Sequence, residues 1–322
     1  MIFLNALSGT FGLLIIVSIG CILARLQWFS PESQVTLVKL INNIGVPPLL
    51  FSTVIKYTKH DELINILISA LLPLSSMIIC FIIAYIIGKF FKVNKNHFGV
   101  FLSCITNSNA IFIGIPITIT LFGEQALPYL MIYFIANTIF FWTISNYAIS
   151  RDNINQQNLS FSKTLLNNIK HIFSPALLGS ITGIFVVFFN IPLPKFIINT
   201  ASILGGMCTP LALIFIGISL HSIGLKNLKI NKDMSIILIG RIIIHPLIVL
   251  LLLYFFKIPE LMGKVFVIMS SLPTMAQVAI SAAYYKADSQ FGALAVTAST
   301  LITTITIPIY MTFLSNNFYK FF

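Results

Sequence analysis

The feature that most constrains this chain is a series of ten apolar stretches, each about as long as the ~20 residues that cross a bilayer as a helix. They run roughly over residues 2–24, 33–55, 62–90, 98–122, 126–149, 172–190, 196–221, 234–256, 261–285 and 290–315. Only 8% of the residues are charged, whereas a soluble domain carries about 25%. The sequence therefore predicts an all-α integral membrane protein with ten transmembrane helices and no soluble domain.

A polar segment from Arg151 to Asn158 divides the ten stretches into two sets of five. Because five is odd, the second set enters the membrane with the opposite polarity, as an inverted repeat requires. The halves also share interruptions: a shift of 164 residues places Asn109 on Pro273. We therefore expect a first five-helix repeat at 1–150, a cytoplasmic connector at 151–171 and a second five-helix repeat at 172–322.

The distribution of basic residues predicts the orientation. Net charge is +11, and Lys and Arg favour cytoplasmic loops. With the N-terminus outside, eleven of the nineteen basic residues, Lys226 and Lys229 among them, fall inside and six, including Lys320, fall outside. This favours a multi-pass plasma membrane protein with both termini outside. The charge does not indicate nucleic-acid binding, because no basic-aromatic module accompanies it.

The fourth stretch contains the segment Asn107 to Ile117, which holds two carboxamides, Gly114 and Pro116 inside an apolar run. These residues loosen a helix or need hydrogen-bond partners. The ninth stretch has a similar interruption around Pro273. Irregular backbone at membrane depth is tolerated only where protein or a watery cavity surrounds it. Both stretches are therefore predicted to be broken helices that meet near the midplane and line a binding site.

A broken helix exposes N–H groups that carry about half a positive charge, which suits a carboxylate. Asn107, Asn109 and Gln277 offer amide donors to such an anion, although they would also serve if they only capped the broken ends. We expect the site to be uncharged, because a buried Lys or Arg would hold an anion too tightly to release it. The candidate substrate-binding residues are Asn107, Asn109, Gly114, Pro116, Pro273 and Gln277, with Asn42 and Asn43 as secondary candidates.

Other polar residues inside the stretches have simpler expected roles. Arg241 and His245 are four apart and share a helix face. We expect Arg241 to extend to the inner membrane surface and His245 to bond the carbonyl freed by Pro246. Asn137 and Asn146 are expected to form hydrogen bonds between helices.

Catalytic chemistry is not indicated. The sequence has no HExxH, GxSxG or phosphate-binding loop, so no catalytic residue, metal or cofactor is expected. The four cysteines lie singly in apolar runs and are expected to be reduced. Glu124 and Asp288 are expected to be solvated ends of spans.

The segment from Asn109 to Pro116 resembles the Asn-x-Gly-Phe-x-Gly-Ile-Pro segment of the auxin efflux carrier family, which includes plant auxin exporters and bacterial permeases for malate or malonate. Leu272-Pro273, Ala282 to Tyr285, Ser299-Thr300 and Pro308 are similar to that family's C-terminal pattern. The resemblance implies two inverted five-helix repeats, a scaffold and a transport subdomain, and fourth and ninth helices that cross beside the substrate. It also implies that Asn109 contacts the substrate and that Pro273 lies at the second crossover. Members of that family often form homodimers, which the sequence neither supports nor opposes.

The sequence thus predicts a secondary transporter that moves a small organic anion, such as malate or malonate, by alternating access, with that anion and the lipid bilayer as its partners. Two other classes stay open at this stage. One is a sodium- or proton-coupled antiporter or ion channel on a similar scaffold. The other is a membrane receptor that binds a ligand without transporting it.

Overall fold

The computed structural model describes residues 2–153, 161–223 and 230–317, and each of the ten predicted apolar stretches contains helix. The α-helices are α1 (Ile2–Arg25), α2 (Pro31–Lys39), α3 (Val46–Tyr57), α4 (His60–Ile68), α5 (Leu71–Phe90), α6 (Phe98–Thr106), α7 (Ile115–Phe122), α8 (Leu127–Phe140), α9 (Asn146–Ser150), α10 (Phe161–Ile172), α11 (Pro175–Phe188), α12 (Lys195–Gly206), α13 (Cys208–Ile223), α14 (Lys232–Ile239), α15 (His245–Leu253), α16 (Glu260–Ser271), α17 (Gln277–Tyr284) and α18 (Ser289–Asn317). Within the described ranges the chain is free of β-strands and has one isolated bridge between Ser108 and Thr274.

Six helical segments in the described ranges are long and apolar enough to cross a membrane: Glu32–Tyr57, His60–Phe90, Glu124–Ser150, Lys195–Ser219, Lys232–Leu253 and Ser289–Leu314. Three shorter apolar helices, Ile15–Arg25, Ala110–Phe122 and Pro175–Phe188, accompany them. The prediction of an all-α integral membrane protein is confirmed. The arrangement as ten spans in two inverted repeats stays a prediction.

Widened turns mark several of the interruptions that the sequence contains. The helical turns Leu40–Gly45, Ala110–Gly114 and Gly240–Ile244 are π-helical, and each leads directly into a helix whose second residue is proline: Pro47, Pro116 and Pro246. Proline has no N–H, and its ring clashes with the carbonyl four residues earlier. A π-helical turn relieves both problems. In the second stretch the interruption is therefore a widened turn, not a gap.

The chain forms two compact units, and each unit combines segments from both halves of the sequence. Unit 1 comprises Met1–Ser69, Ile111–Ile132 and Phe173–Asn227, and unit 2 comprises Ala70–Ala110, Tyr133–Ile172 and Leu228–Phe322. Part of the predicted connector, residues 154–160, lies outside the described residues, as do Lys226, Lys229 and Lys320 from the charge count.

Unit 1 contains a close packing of α1 against α13. A Cβ added at Gly20 would lie 2.3 Å from the backbone oxygen of Ile214, and one added at Gly217 would lie 2.0 Å from that of Val17. Both positions therefore need glycine for steric reasons. Small residues of this kind allow membrane helices to approach closely, where van der Waals contact stabilises the pair.

Unit 2 surrounds α6, which is buried along its length from Gly99 to Thr106. The carboxyl of Asp152 accepts hydrogen bonds from the N–H groups of Gly99, at 2.6 Å, and Val100, at 2.9 Å. These bonds occupy two of the four N–H groups that a helix leaves free at its start. Burial raises the pKa of Asp152 to about 6, although the two N–H bonds act in the opposite direction. Asp152 thereby holds the N-terminal end of the helix that leads to the interruption.

The cysteines are free, as expected. Cys80, Cys104 and Cys208 are buried and Cys21 is partly buried, and none forms a disulfide.

Candidate functional site

The interruptions of the fourth and ninth stretches are hydrogen-bonded to each other inside unit 2. Helix α6 ends at Thr106 and α16 ends at Ser271. Beyond these ends the Asn109 N–H donates to the Pro273 carbonyl at 2.9 Å, and the Met275 N–H donates to the Asn107 carbonyl at 3.0 Å. We call residues 107–109 and 273–275 the junction. Two broken helices therefore meet at a short antiparallel bridge, as the sequence predicted.

Asn137 of α8 completes the backbone hydrogen bonding of the junction on its other side. Its Oδ1 accepts from the Ser108 N–H at 3.1 Å, and its Nδ2 donates to the Ser108 carbonyl at 3.0 Å. Asn137 is 1% exposed. Backbone groups buried without partners would destabilise the fold. The expected hydrogen bonding of Asn137 between helices is thus confirmed, and its partner is the broken backbone.

The side chain of Asn107 forms its hydrogen bonds with other residues of the protein. Its Nδ2 donates to Asn137 Oδ1 at 3.3 Å, and its Oδ1 accepts from Ser145 Oγ at 2.6 Å. The residue is fully buried. This arrangement fixes the carboxamide and holds the junction in place.

Asn109 and Gln277 differ from Asn107, because their side-chain amides make no hydrogen bond within the described part of the chain. Asn109 is only 8% exposed. Gln277 is partly exposed and is the first residue of α17, which follows the junction. Neither amide is among the fully buried polar atoms that lack a partner, so both can be reached from outside the protein. Both side chains are therefore available to a ligand.

Arg241 lies against the junction and binds the carbonyl groups that the two helix ends leave free. Its Nε donates to the Leu272 carbonyl at 2.6 Å, and its Nη1 donates to the carbonyls of Ile105, at 2.9 Å, and Thr106, at 3.0 Å. Its Nη2 donates to Ser108 Oγ. The negative ends of two helix dipoles and the guanidinium thus stabilise one another.

The expectations for Arg241 and His245 were wrong. Arg241 is 0% exposed, so it does not extend to the membrane surface, because the helix-end carbonyls bind it in the interior. His245 Nδ1 lies 2.9 Å from Arg241 Nη1 and must accept, since a guanidinium only donates. Its Nε2 then carries the proton and faces Ser76 Oγ at 3.4 Å. The expectation that no cation is buried beside the junction is likewise overturned.

The sequence is similar to known membrane transport proteins. The family model described as membrane transport protein matches residues 9–311. The chain belongs to the membrane transport protein family. This match confirms the resemblance to the auxin efflux carrier family.

Two relatives of this membrane transport protein are themselves described as uncharacterized transporters. One, from Methanocaldococcus jannaschii, is 25% identical over 284 residues, which cover 84% of this chain and 88% of the relative. The other, from Methanothermobacter thermautotrophicus, is 23% identical over 315 residues, which cover 96% of this chain and 99% of the relative. The protein is therefore an integral membrane protein of a transporter family, which agrees with the expectation that it is not an enzyme.

The remaining candidate residues of this membrane transport protein lie in unit 1. Gly114 ends the π-helical turn Ala110–Gly114, and Pro116 is the second residue of α7. Asn42 is partly buried and Asn43 is exposed, both in the π-helical turn Leu40–Gly45. The junction residues, by contrast, belong to unit 2. The structure brings Asn107, Asn109 and Pro273 together, and Gln277 follows two residues after Met275.

Unit 1 also contains a small cavity of about 220 Å³ whose lining mixes polar and apolar residues. Ser52, Thr53, Lys56, Glu124 and Thr209 are among its lining residues. Glu124 is exposed, as expected for a solvated end, and its Oε2 accepts from the Tyr57 hydroxyl at 3.1 Å.

Asp288, the other predicted solvated end, is held more firmly. It is partly buried, its Oδ2 lies 3.4 Å from His97 Nδ1, and its Oδ1 accepts from the Phe291 N–H at 2.9 Å. A cluster of His, Cys, Asp and Glu side chains suited to a metal ion is absent from the described residues.

Proposed function

We propose that this transporter moves a small organic anion, a mono- or dicarboxylate such as malate or malonate, across the plasma membrane by alternating access. The observation that carries the proposal is the Asn109 side chain, which is 8% exposed and makes no hydrogen bond within the described part of the chain. An amide N–H₂ at the start of a resumed helix is suited to a carboxylate oxygen. Family membership supports the transport activity.

The candidate residues take different roles in this proposal. Asn109 and Gln277 donate hydrogen bonds to the anion. Asn107 keeps the junction in place through Asn137 and Ser145. Pro273 helps to keep the backbone from forming a continuous helix, because proline cannot donate the N–H that a helix requires.

Gly114 and Pro116 interrupt the fourth helix in the same way, and Asn42 and Asn43 stay secondary candidates for substrate binding. Alternating access means that the site opens first to one face of the membrane and then to the other. We propose that the broken fourth and ninth helices carry the site between these states, that both chain termini lie outside and that the protein forms a homodimer.

Uptake into proteoliposomes tests the proposed substrate class. The assay uses labelled malate and malonate among a panel of carboxylates, with and without sodium and pH gradients. We expect at least one carboxylate to accumulate. Ion flux that needs no organic anion would instead indicate a channel or ion antiporter, and ligand binding without any uptake would indicate a receptor.

Substitution of Asn109 tests the site. We expect Asn109→Ala to lower uptake by at least about tenfold, because one charge-assisted hydrogen bond is worth about 1.5–3 kcal/mol. The matched control is Asn96→Ala, which removes the same side chain from an exposed position. Both variants should keep the thermal stability of the parent. Normal uptake by Asn109→Ala would refute the site assignment, and loss of folding would favour a role in capping the broken end.

A further inference from the structure

Arg241 is a buried cation in unit 2 without an acidic partner. All eight Asp and Glu residues of the chain lie within the described ranges. None forms an ion pair with Arg241, whose partners are backbone carbonyls, Ser108 and His245. Among the Lys and Arg side chains that the structure describes, it alone is buried. A charge in this position inside a membrane protein is unfavourable and therefore points to function.

The helix ends hold the guanidinium but leave its charge in place. Each helix dipole puts a partial negative charge beside Arg241 and an equal positive charge at its other end. The dipoles therefore add no net charge, and the interior of unit 2 keeps one formal positive charge. A negatively charged ligand at the junction would supply the missing counter-charge.

The same contacts keep Arg241 from binding the ligand as a direct salt bridge. A guanidinium has five N–H donors. The carbonyls of Ile105 and Thr106 and His245 Nδ1 share the two N–H groups of Nη1, Nε donates to the Leu272 carbonyl and Nη2 donates to the Ser108 hydroxyl, which leaves too few donors for a two-bonded salt bridge. The charge thus attracts an anion through its field, while the uncommitted amides of Asn109 and Gln277 make the direct contacts. This combination provides attraction without the tight binding that would prevent release.

We propose that Arg241 is the specificity-determining charge of the site and that it selects an organic anion with a single net negative charge. One buried cation balances one carboxylate, whereas the second carboxylate of a dianion would stay unpaired in a low-dielectric interior. A neutral analogue would gain nothing from the cation. This inference rests on the proposed carboxylate site and narrows its substrate from mono- and dicarboxylates to monoanions, which excludes the dianions malate and malonate.

A series of three probes with one carbon skeleton tests the charge selection. Malonate carries two negative charges at neutral pH, malonamate carries one and malonamide carries none. Binding to the intact, detergent-solubilised protein is measured by the shift of its thermal unfolding with probe concentration. We expect malonamate to bind at least about tenfold more tightly than malonamide, and more tightly than malonate.

Two variants assign the selection to Arg241. Arg241→Lys keeps the charge and Arg241→Gln removes it while retaining amide donors. We expect the lysine variant to keep the preference for malonamate over malonamide and the glutamine variant to lose it. A purely structural role of Arg241 would lower stability without changing this ratio.

The outcomes separate this inference from the proposed function. Equal binding of malonamate and malonamide by the parent, or tighter binding of malonate, overturns the selection by Arg241 and leaves the carboxylate site standing. The parent protein decides this even if neither variant folds. If the parent binds none of the probes and takes up no carboxylate, the proposed function fails and the inference with it.

Discussion

The carboxamide of Asn137 pairs with both backbone groups of Ser108, donating to its carbonyl at 3.0 Å and accepting from its N–H at 3.1 Å. A carboxamide has the same donor and acceptor as a peptide group, so it can pair with an extended residue as a neighbouring strand would. Thr274 forms a bridge with the same residue. Ser108 thus lies between Thr274 on one side and the Asn137 side chain on the other. These contacts allow the buried backbone to depart from helical geometry at this point.

Removal of the Asn137 side chain should destabilise the protein strongly. Asn137→Ala removes the oxygen that accepts from two buried donors, the Ser108 N–H and Asn107 Nδ2, whereas the Ser108 carbonyl keeps the Ala110 N–H at 2.9 Å. Each buried donor left without a partner costs about 1–3 kcal/mol. We expect a loss of roughly 2–4 kcal/mol in the free energy of unfolding, measured by thermal or chemical unfolding in detergent. Asn146→Ala is the control, because Asn146 is equally buried but has a single long bond, 3.5 Å to the Tyr285 hydroxyl. Equal losses in both variants would contradict this account of Asn137.

The stability of unit 2 should depend on the protonation of Asp152. Its folded-state pKa is raised from 3.8 to about 6, mainly by burial. The folded protein therefore binds a proton that the unfolded chain has already released between these values. The resulting stabilisation is fully present below pH 3.8 and is lost as the pH rises through about 6, with a total change of up to about 3 kcal/mol.

A comparison of the parent with Asp152→Asn isolates this effect. Asparagine does not titrate in this range but still offers an oxygen to the N–H groups of Gly99 and Val100. The difference in unfolding free energy between parent and variant should change between pH 4 and pH 7 in favour of the variant. A difference that does not change with pH would show that Asp152 keeps an ordinary pKa.

A methyl group at Gly217 should force α1 and α13 apart. The added Cβ would lie 2.0 Å from the Val17 backbone oxygen, which no side-chain rotation can relieve. We expect Gly217→Ala to lower stability by about 1–3 kcal/mol. Gly12→Ala in α1 is the matched control, because nothing lies within 4 Å of its added Cβ, and it should be neutral or stabilise by up to about 1 kcal/mol. Both are measured by unfolding in detergent, and similar effects would argue against the close approach.

A negative charge at Gln277 should prevent substrate binding. Gln277→Glu hardly changes the size of the side chain but replaces its amide donor with a carboxylate that repels an anion. We expect uptake of the transported carboxylate to fall by at least about tenfold, with little change in stability. The control is Gln125→Glu, the same change at an exposed position. Equal uptake by both variants would remove Gln277 from the site.

The place of the helix breaks could be predicted because it is a local property of the chain. Carboxamides, Gly114 and Pro116 inside one apolar stretch cannot continue an ordinary membrane helix, whatever surrounds them. The same reasoning identified Pro273. The meeting of the two breaks also followed, since two irregular segments in lipid each need hydrogen-bond partners and can provide them for one another. The particular bond between the Asn109 N–H and the Pro273 carbonyl did not.

Which carboxamide side chain is hydrogen-bonded within the protein could not be predicted, because this depends on neighbours that are distant in the chain. Asn107 and Asn109 are two residues apart, yet Ser145 and Asn137 bind the first and leave the second uncommitted. Nothing in the segment itself distinguishes them. The wider arrangement as two inverted repeats stays a prediction.

The sequence by itself determined that this is a membrane protein and where its fourth and ninth helices break, because hydropathy and proline act on the residues that carry them. Only the tertiary structure decided where Arg241 lies. Its contacts are with Leu272, 31 residues away, and with Ile105 and Thr106, 136 and 135 residues away. Helical periodicity states which face of the helix holds an arginine but not what covers that face. Here the free carbonyls of two broken helices cover it and bind the guanidinium in the interior.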